Sequence, residues 1–130
     1  MSKQKLEDIL KQGIYGKPEI RPEERKLFLS TIAERVYLCL TDSQVRHRGI
    51  YPEMEKAMKE RKSAHLYIDG NLNYPAYSNY IKAANKYSIP FTIVNDGQDS
   101  PIGIVLAADT AVNMESHMFV KDELYEDDMA

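Results

Sequence analysis

Tryptophan is absent from this chain, and cysteine occurs once, as Cys39, among 130 residues. A single cysteine excludes an intramolecular disulfide and suits a reducing compartment. Its place inside the apolar run Val36 to Leu40 reads as a buried, inert thiol, not a nucleophile. Glycine-rich phosphate loops are missing too, since Gly97 and Gly103 stand alone and match no phosphate-binding spacing. No serine occupies a nucleophile elbow. His47, His65 and His117 are far apart in sequence, and none has a metal-ligand spacing. The opening MSKQKLEDIL lacks the apolar core of a signal peptide, and no later apolar run is long enough to span a bilayer. Positive charge is not in excess either: the net charge is −3 and the pI near 5.6, which weighs against whole-molecule attraction to nucleic acid or anionic lipid. The expectation is a cytosolic protein with no cofactor, no metal and no membrane partner.

What remains is ordinary for a folded domain, with 43% hydrophobic and 28% charged residues. A chain of 14.9 kDa fits one domain and buries about two-thirds of its unfolded surface. Leu6, Ile9 and Leu10 recur at helical spacing with Gly13 as a stop, and residues 13 to 22 read as a connecting arm. Pro22, Glu23 and Glu24 open a helix, because proline needs no donor there and acids suit the positive end of the dipole. That helix directs Leu27, Phe28, Thr31 and Ile32 inward. Val36 to Leu40 is the first core strand, ended by Thr41 and Asp42. Pro52 opens the next helix, with Met54, Ala57 and Met58 as its apolar stripe; Glu55 with Lys59 and Glu53 with Lys56 have supporting spacings.

The stretch from Ala64 to Val94 is the clearest unit. Ala64, Leu66 and Ile68 alternate with His65, Tyr67 and Asp69, which marks a strand with one face more buried than the other. Asn73 caps the helix that follows, Pro75 is tolerated in its first turn, and Tyr77, Tyr80, Ile81, Ala84 and Tyr87 line its inner face. At such spacing tyrosines are read as core with hydroxyls at the rim, although they could stack on bases. Pro90 to Val94 is the third strand. From Ser100 a short turn or helix is expected, then a strand through Ala111 and Val112. Asp122 to Ala130 reads as a frayed acidic end. The division is an N-terminal helix and arm over 1–22, one α/β domain over 23–122, and an acidic flexible tail over 123–130. The architecture is an α/β layered sandwich with one mixed sheet, in the order β-α-β-α-β-β.

Asp69-Gly70-Asn71-Leu72-Asn73 looks like the start of a calcium loop, but Tyr74 stands where glycine is needed and Tyr80 where the bidentate glutamate belongs. It reads as a strand-to-helix turn. The most suggestive chemistry is the segment from Arg46 to Lys62, where Arg46, Arg48, Lys56, Lys59, Arg61 and Lys62 face Glu53, Glu55 and Glu60: six bases against three acids, +3 in an acidic chain. A solvated helix face is one explanation, and an anion or RNA contact beside a helix start is the other.

The blocks RPEERKLFLSTIAERVYLCLT, YSNYIKAANKYSIPFTIV and GIVLAADTAVN, in that order, resemble the YueI-like family of uncharacterised bacterial proteins, from about Leu6 to Tyr125. The resemblance implies a Bacillus chorismate mutase-like fold and no established activity. That fold type includes the L30e-like and L7Ae-like kink-turn RNA-binding proteins, a distant similarity. Ala64 to Val94 is similar to their central strand-helix-strand, and Ile102-Gly103 to their later Leu-Gly step. Their Asn-Glu-x-x-Lys contact motif would fall on Pro52-Glu53-Met54-Glu55-Lys56, with Glu53 and Lys56 matching and proline replacing the asparagine. Two functions follow by analogy. One is a non-catalytic binding module, for RNA or a ribonucleoprotein, using Thr41, Arg46, Arg48, Glu53, Lys56, Asp69 and Asn71. The other is a small-molecule binder or enzyme at a subunit interface, with Arg35 and the Asp69 to Asn73 loop as contacts.

Overall fold

The computed structural model describes residues 22–61, 63–95 and 100–129. Of the helix and arm expected over 1–22, residues 1–21 lie outside the described residues, as do Lys62 and Gly97. Four strands form one sheet in the order β1-β4-β2-β3: β1 is Val36–Thr41, β2 Ala64–Asp69, β3 Phe91–Val94 and β4 Ile102–Ala108. β4 runs antiparallel to both β1 and β2, while β2 and β3 are parallel, so β1, β2 and β3 all point the same way. Among the described residues five α-helices accompany the sheet: α1 Pro22–Leu27, α2 Asp42–Arg46, α3 Pro52–Glu60, α4 Tyr74–Lys86 and α5 Glu123–Met129.

The sheet divides two apolar clusters. On one face Leu38, Leu40, Leu66, Ile68, Ile104 and Leu106 meet Val45 of α2, Met54 and Met58 of α3, and Tyr77, Tyr80 and Ala84 of α4. On the other, Val36, Cys39, Val105 and Ala107 meet Leu27 and Phe28 near α1 and Tyr125 and Met129 of α5. β1 feeds both clusters across a register shift between Val36 and Leu38. β4, flanked on both sides, is buried on both faces from Ile102 to Ala107. The expected alternation of β2 is present, with Ala64, Leu66 and Ile68 buried and His65 and Tyr67 half-buried. Each fully buried aliphatic chain of this kind contributes about 1.5–3 kcal/mol.

The structure departs from the sequence reading in five places. β4 begins at Ile102, with no helix over the described residues Ser100 and Pro101, and ends at Ala108, short of Ala111 and Val112. Gly103 does not break it, because the strand is central and its backbone is paired on both sides. A helix, α2, starts at Asp42 directly after β1, where only a strand end was expected. The acidic end is not frayed over Glu123–Met129: it forms α5, with Tyr125 and Met129 buried. Asn73 sits at the N-cap of α4 but makes no side-chain capping bond. Glu55 does not pair with Lys59; its Oε2 accepts a hydrogen bond from the Tyr87 hydroxyl at 3.2 Å and lies 4.0 Å from Lys86 Nζ.

Candidate functional site

Because β1 and β2 run the same way, their carboxyl ends, Thr41 and Asp69, reach the same rim, and β4 enters the sheet there through Ser100 and Pro101. The Ser100 hydroxyl fixes that entry, donating to the Leu27 carbonyl at 2.7 Å and accepting the Ile102 N–H at 3.1 Å. Gly103 is required by close approach: a Cβ there would lie 2.9 Å from Val45 Cγ2 and 3.0 Å from Asp42 Oδ1. This lets α2 rest on the sheet with the Asp42 carboxyl against the β4 backbone.

Two further contacts clamp the start of α2. The Asp42 N–H donates to the Pro101 carbonyl at 2.8 Å. Asp128, from α5, accepts the Ser43 N–H at 2.8 Å and the Ser43 hydroxyl at 2.7 Å. A carboxylate there also suits the positive end of the helix. Gln44 Oε1 accepts the Thr41 N–H at 2.9 Å.

Between these groups lies an open cleft of about 500 Å³, lined by Asp42, Arg46, Asp69, Asn71, Ser100, Pro101 and Asp128. Rims at the carboxyl ends of parallel strands are where open α/β sheets bind ligands. Asp69 is buried, and its Oδ1 accepts the Asn71 N–H at 2.9 Å, which shapes the turn out of β2. Asp42 Oδ1 is buried and has no hydrogen-bond partner among the described residues. Burial, and then the nearby Asp69 carboxylate, push the Asp42 carboxyl up to about 7; Arg46 opposes this and Asp128 adds to it. Asp42 therefore exchanges between donor and acceptor near neutral pH.

The structure brings Arg46, Asp69 and Asn71 into this one cleft. Thr41 lies beside it at the end of β1, fully buried, its Oγ1 without a hydrogen-bond partner among the described residues. Arg48 is exposed in the turn after α2, and Glu53 and Lys56 are exposed on α3; none of the three lines the cleft. Arg35, in a short 3-10 turn before β1, does not line it either. Sequence reasoning missed Asp42, Ser100 and Asp128. Asp42 had a readable signal, since Leu-Thr-Asp after β1 parallels Ile-Asp at the end of β2. Asp128 had none, being 85 residues from the serine it binds.

Fold and cleft together define a layered α/β protein with a polar, carboxylate-rich cleft at the carboxyl ends of parallel strands. The chain belongs to the family described as "Protein of unknown function (DUF1694)", which matches residues 3–118. It is 45% identical over 126 residues to the "Uncharacterized protein YueI" of Bacillus subtilis (strain 168), covering 96% of this chain and 95% of that one. The crystal structure of the YueI protein from Bacillus subtilis superposes with a TM-score of 0.84 at 42% identity, over 98% of this chain and 99% of that one. The layered fold that the sequence blocks implied is thus the fold of this family. Among the described residues no helix is long and apolar enough to cross a membrane.

Proposed function

We propose that the chain is a non-catalytic binding module whose ligand is a small polar molecule rich in hydrogen-bond donors, held in the cleft of Asp42, Asp69 and Asn71. The observation that carries this reading is the convergence of Asp42, Asp69 and Asn71 on one open cleft, where the Asp42 carboxyl has one oxygen buried against β4 without a hydrogen-bond partner among the described residues. An unmet buried acceptor makes the charged carboxyl costly, and a cationic or donor-rich ligand in the cleft offsets that cost. An amine or hydroxyl compound fits; a phosphate meets three carboxylates.

Thermal unfolding with putrescine, ethanolamine or glycerol tests it. An amine should raise Tm, more at pH 8 than at pH 6, because Asp42 ionises near 7 and the anion is the form that attracts it. Asp69→Asn should weaken the effect. No shift with any of the three compounds, or an equal shift in the variant, would count against the cleft.

RNA is the second reading, and the exposure of Arg46, Arg48 and Lys56 around α2 and α3 favours it. Its site would be that outer surface. The same preparation, filter-bound with total cellular RNA at two salt concentrations, separates the readings: salt-sensitive retention lost in Arg48→Glu with Lys56→Glu would favour RNA.

A further inference from the structure

The opposite rim of the sheet has a second cavity, at the amino end of β2 and beside the C-terminal ends of α3 and α4. It measures about 540 Å³, within the range of small-ligand sites. About 17 Å of strand separates it from the carboxyl-end cleft, given five residue steps along β2. We propose that this cavity binds a small organic anion, its phosphate or carboxylate held by Arg61 and Lys59 and its apolar body resting on Met58, Ile89 and Pro90.

Arg61 is the strongest argument. It is half-buried, its guanidinium lies 5.1 Å from the Tyr37 ring centroid, and Nη2 donates to Met114 Sδ at 3.8 Å. Among the described residues it meets no carboxylate. A guanidinium carries five N–H donors in a fixed fork, and a thioether is a weak acceptor, so most of that capacity is unused. Tyr37 and Met114 lie outside the cavity lining while Arg61 itself lines it, so the N–H donors they leave unused are the ones available to a planar oxyanion. Lys59 is exposed at the same cavity and likewise has no ion pair among the described residues.

Three more features converge there. Ser63 and Ser88 both line the cavity with positive φ, 60° and 56°. Non-glycine residues adopt this conformation at a cost. Both hydroxyls are without partners among the described residues, and so are available to an oxyanion. His65 Nε2 pairs with Thr92 Oγ1 at 2.7 Å, which fixes the ring at the cavity wall. Helix C-termini ordinarily repel anions. Here the carbonyls at the end of α4 are occupied, since Ile89 N–H bonds Ala84 O at 2.7 Å and Ser88 N–H bonds Asn85 O at 3.2 Å. One acid, Asp109, also lines the cavity. The basic excess between Arg46 and Lys62 is therefore not one patch: Arg46 serves the first cleft, and Lys59 and Arg61 serve this cavity.

The test is an amide NMR titration of the full chain with phenyl phosphate, benzoate and inorganic phosphate. Saturable shifts at Ser63, Ala64, His65 and Ser88 are expected with the two aromatic anions, with weaker ones from inorganic phosphate, which lacks the apolar body. Phenyl phosphate binding tighter than benzoate assigns the natural headgroup as phosphate, and the reverse order assigns it as carboxylate. Lys59→Gln with Arg61→Gln should weaken binding roughly tenfold or more, as loss of charge-assisted hydrogen bonds does. Asp69→Asn should leave it unchanged, so failure here is distinguishable from failure at the carboxyl-end cleft. Lys59→Gln alone, at an exposed position, gives the same reading should the double variant misfold. No shifts up to about 10 mM ligand, shifts confined to the Arg46 rim, or unchanged affinity in the basic-residue variants would overturn the proposal.

Discussion

Asp42 combines strain and opportunity in one side chain. Its folded pKa is raised from 3.8 to about 7, first by burial and then by Asp69. For an acid the sign is unfavourable to the fold: between about pH 4 and 7 the unfolded chain releases this proton while the folded chain retains it. Stability from this group therefore falls with rising pH across that window and is flat above it. Asp42→Asn should be more stable than the native chain at pH 8, by about 1 kcal/mol once its partial exposure is allowed for, with the gap closing below pH 4. Urea unfolding at the two pH values measures it; an equal gap at both would mean the carboxyl is not perturbed. Nothing in the local sequence marks Asp42 as buried. Its environment comes from Gly103, Asp69 and Asp128, which arrive from three other parts of the chain.

Elements differ in how far sequence exposes them. β2 and α4 were readable because their periodicity matches their burial: Leu66 and Ile68 face in at period two, and Tyr77, Tyr80 and Ala84 at helical spacing. β4 was misplaced because both of its faces are buried, so it has no alternation to mark its ends, and Ser100-Pro101 read as a turn or helix start. α2 has five residues, too few for a periodic signal. α5 looked like a solvated tail because its acids outnumber its apolar residues, yet Tyr125 and Met129 are four apart and share the inward face. Gln44 and Tyr51 add to its seat, both hydrogen-bonding Asp122 just ahead of the helix. Met129 is fully buried against the cluster that includes Leu27 and Phe28. Met129→Ala should therefore cost about 2–4 kcal/mol in urea unfolding. A frayed end would show no loss. Because Asp128 on this helix clamps Ser43, the same substitution should also loosen the cleft.

At the scale of the molecule, the sheet order sets what is rigid and what can open. β4 is hydrogen-bonded on both sides and buried on both faces, so its amides should exchange only when the whole domain unfolds. β3 is an edge strand of four residues, with Phe91 and Thr92 exposed and Ile93 and Val94 half-buried. Among the described residues it is paired with β2 alone, and the helical cover on the α1 and α5 side lies over β1 and β4. Few buried contacts hold β3, so local opening should release it first. Native-state hydrogen exchange should find the bonded amides of β3 at least ~100-fold less protected than those of β4. Exchange of both strands in one event would mean that β3 belongs to the cooperative core. The expected gradient places both candidate sites against rigid strands: the first cleft is built on β1, β2 and β4, and the second cavity takes His65 from β2. Only Ser88, Ile89 and Pro90 of that cavity lead into the loose edge. A ligand bound there should slow β3 exchange selectively, whereas one bound at Asp42 and Asp69 should leave it unchanged.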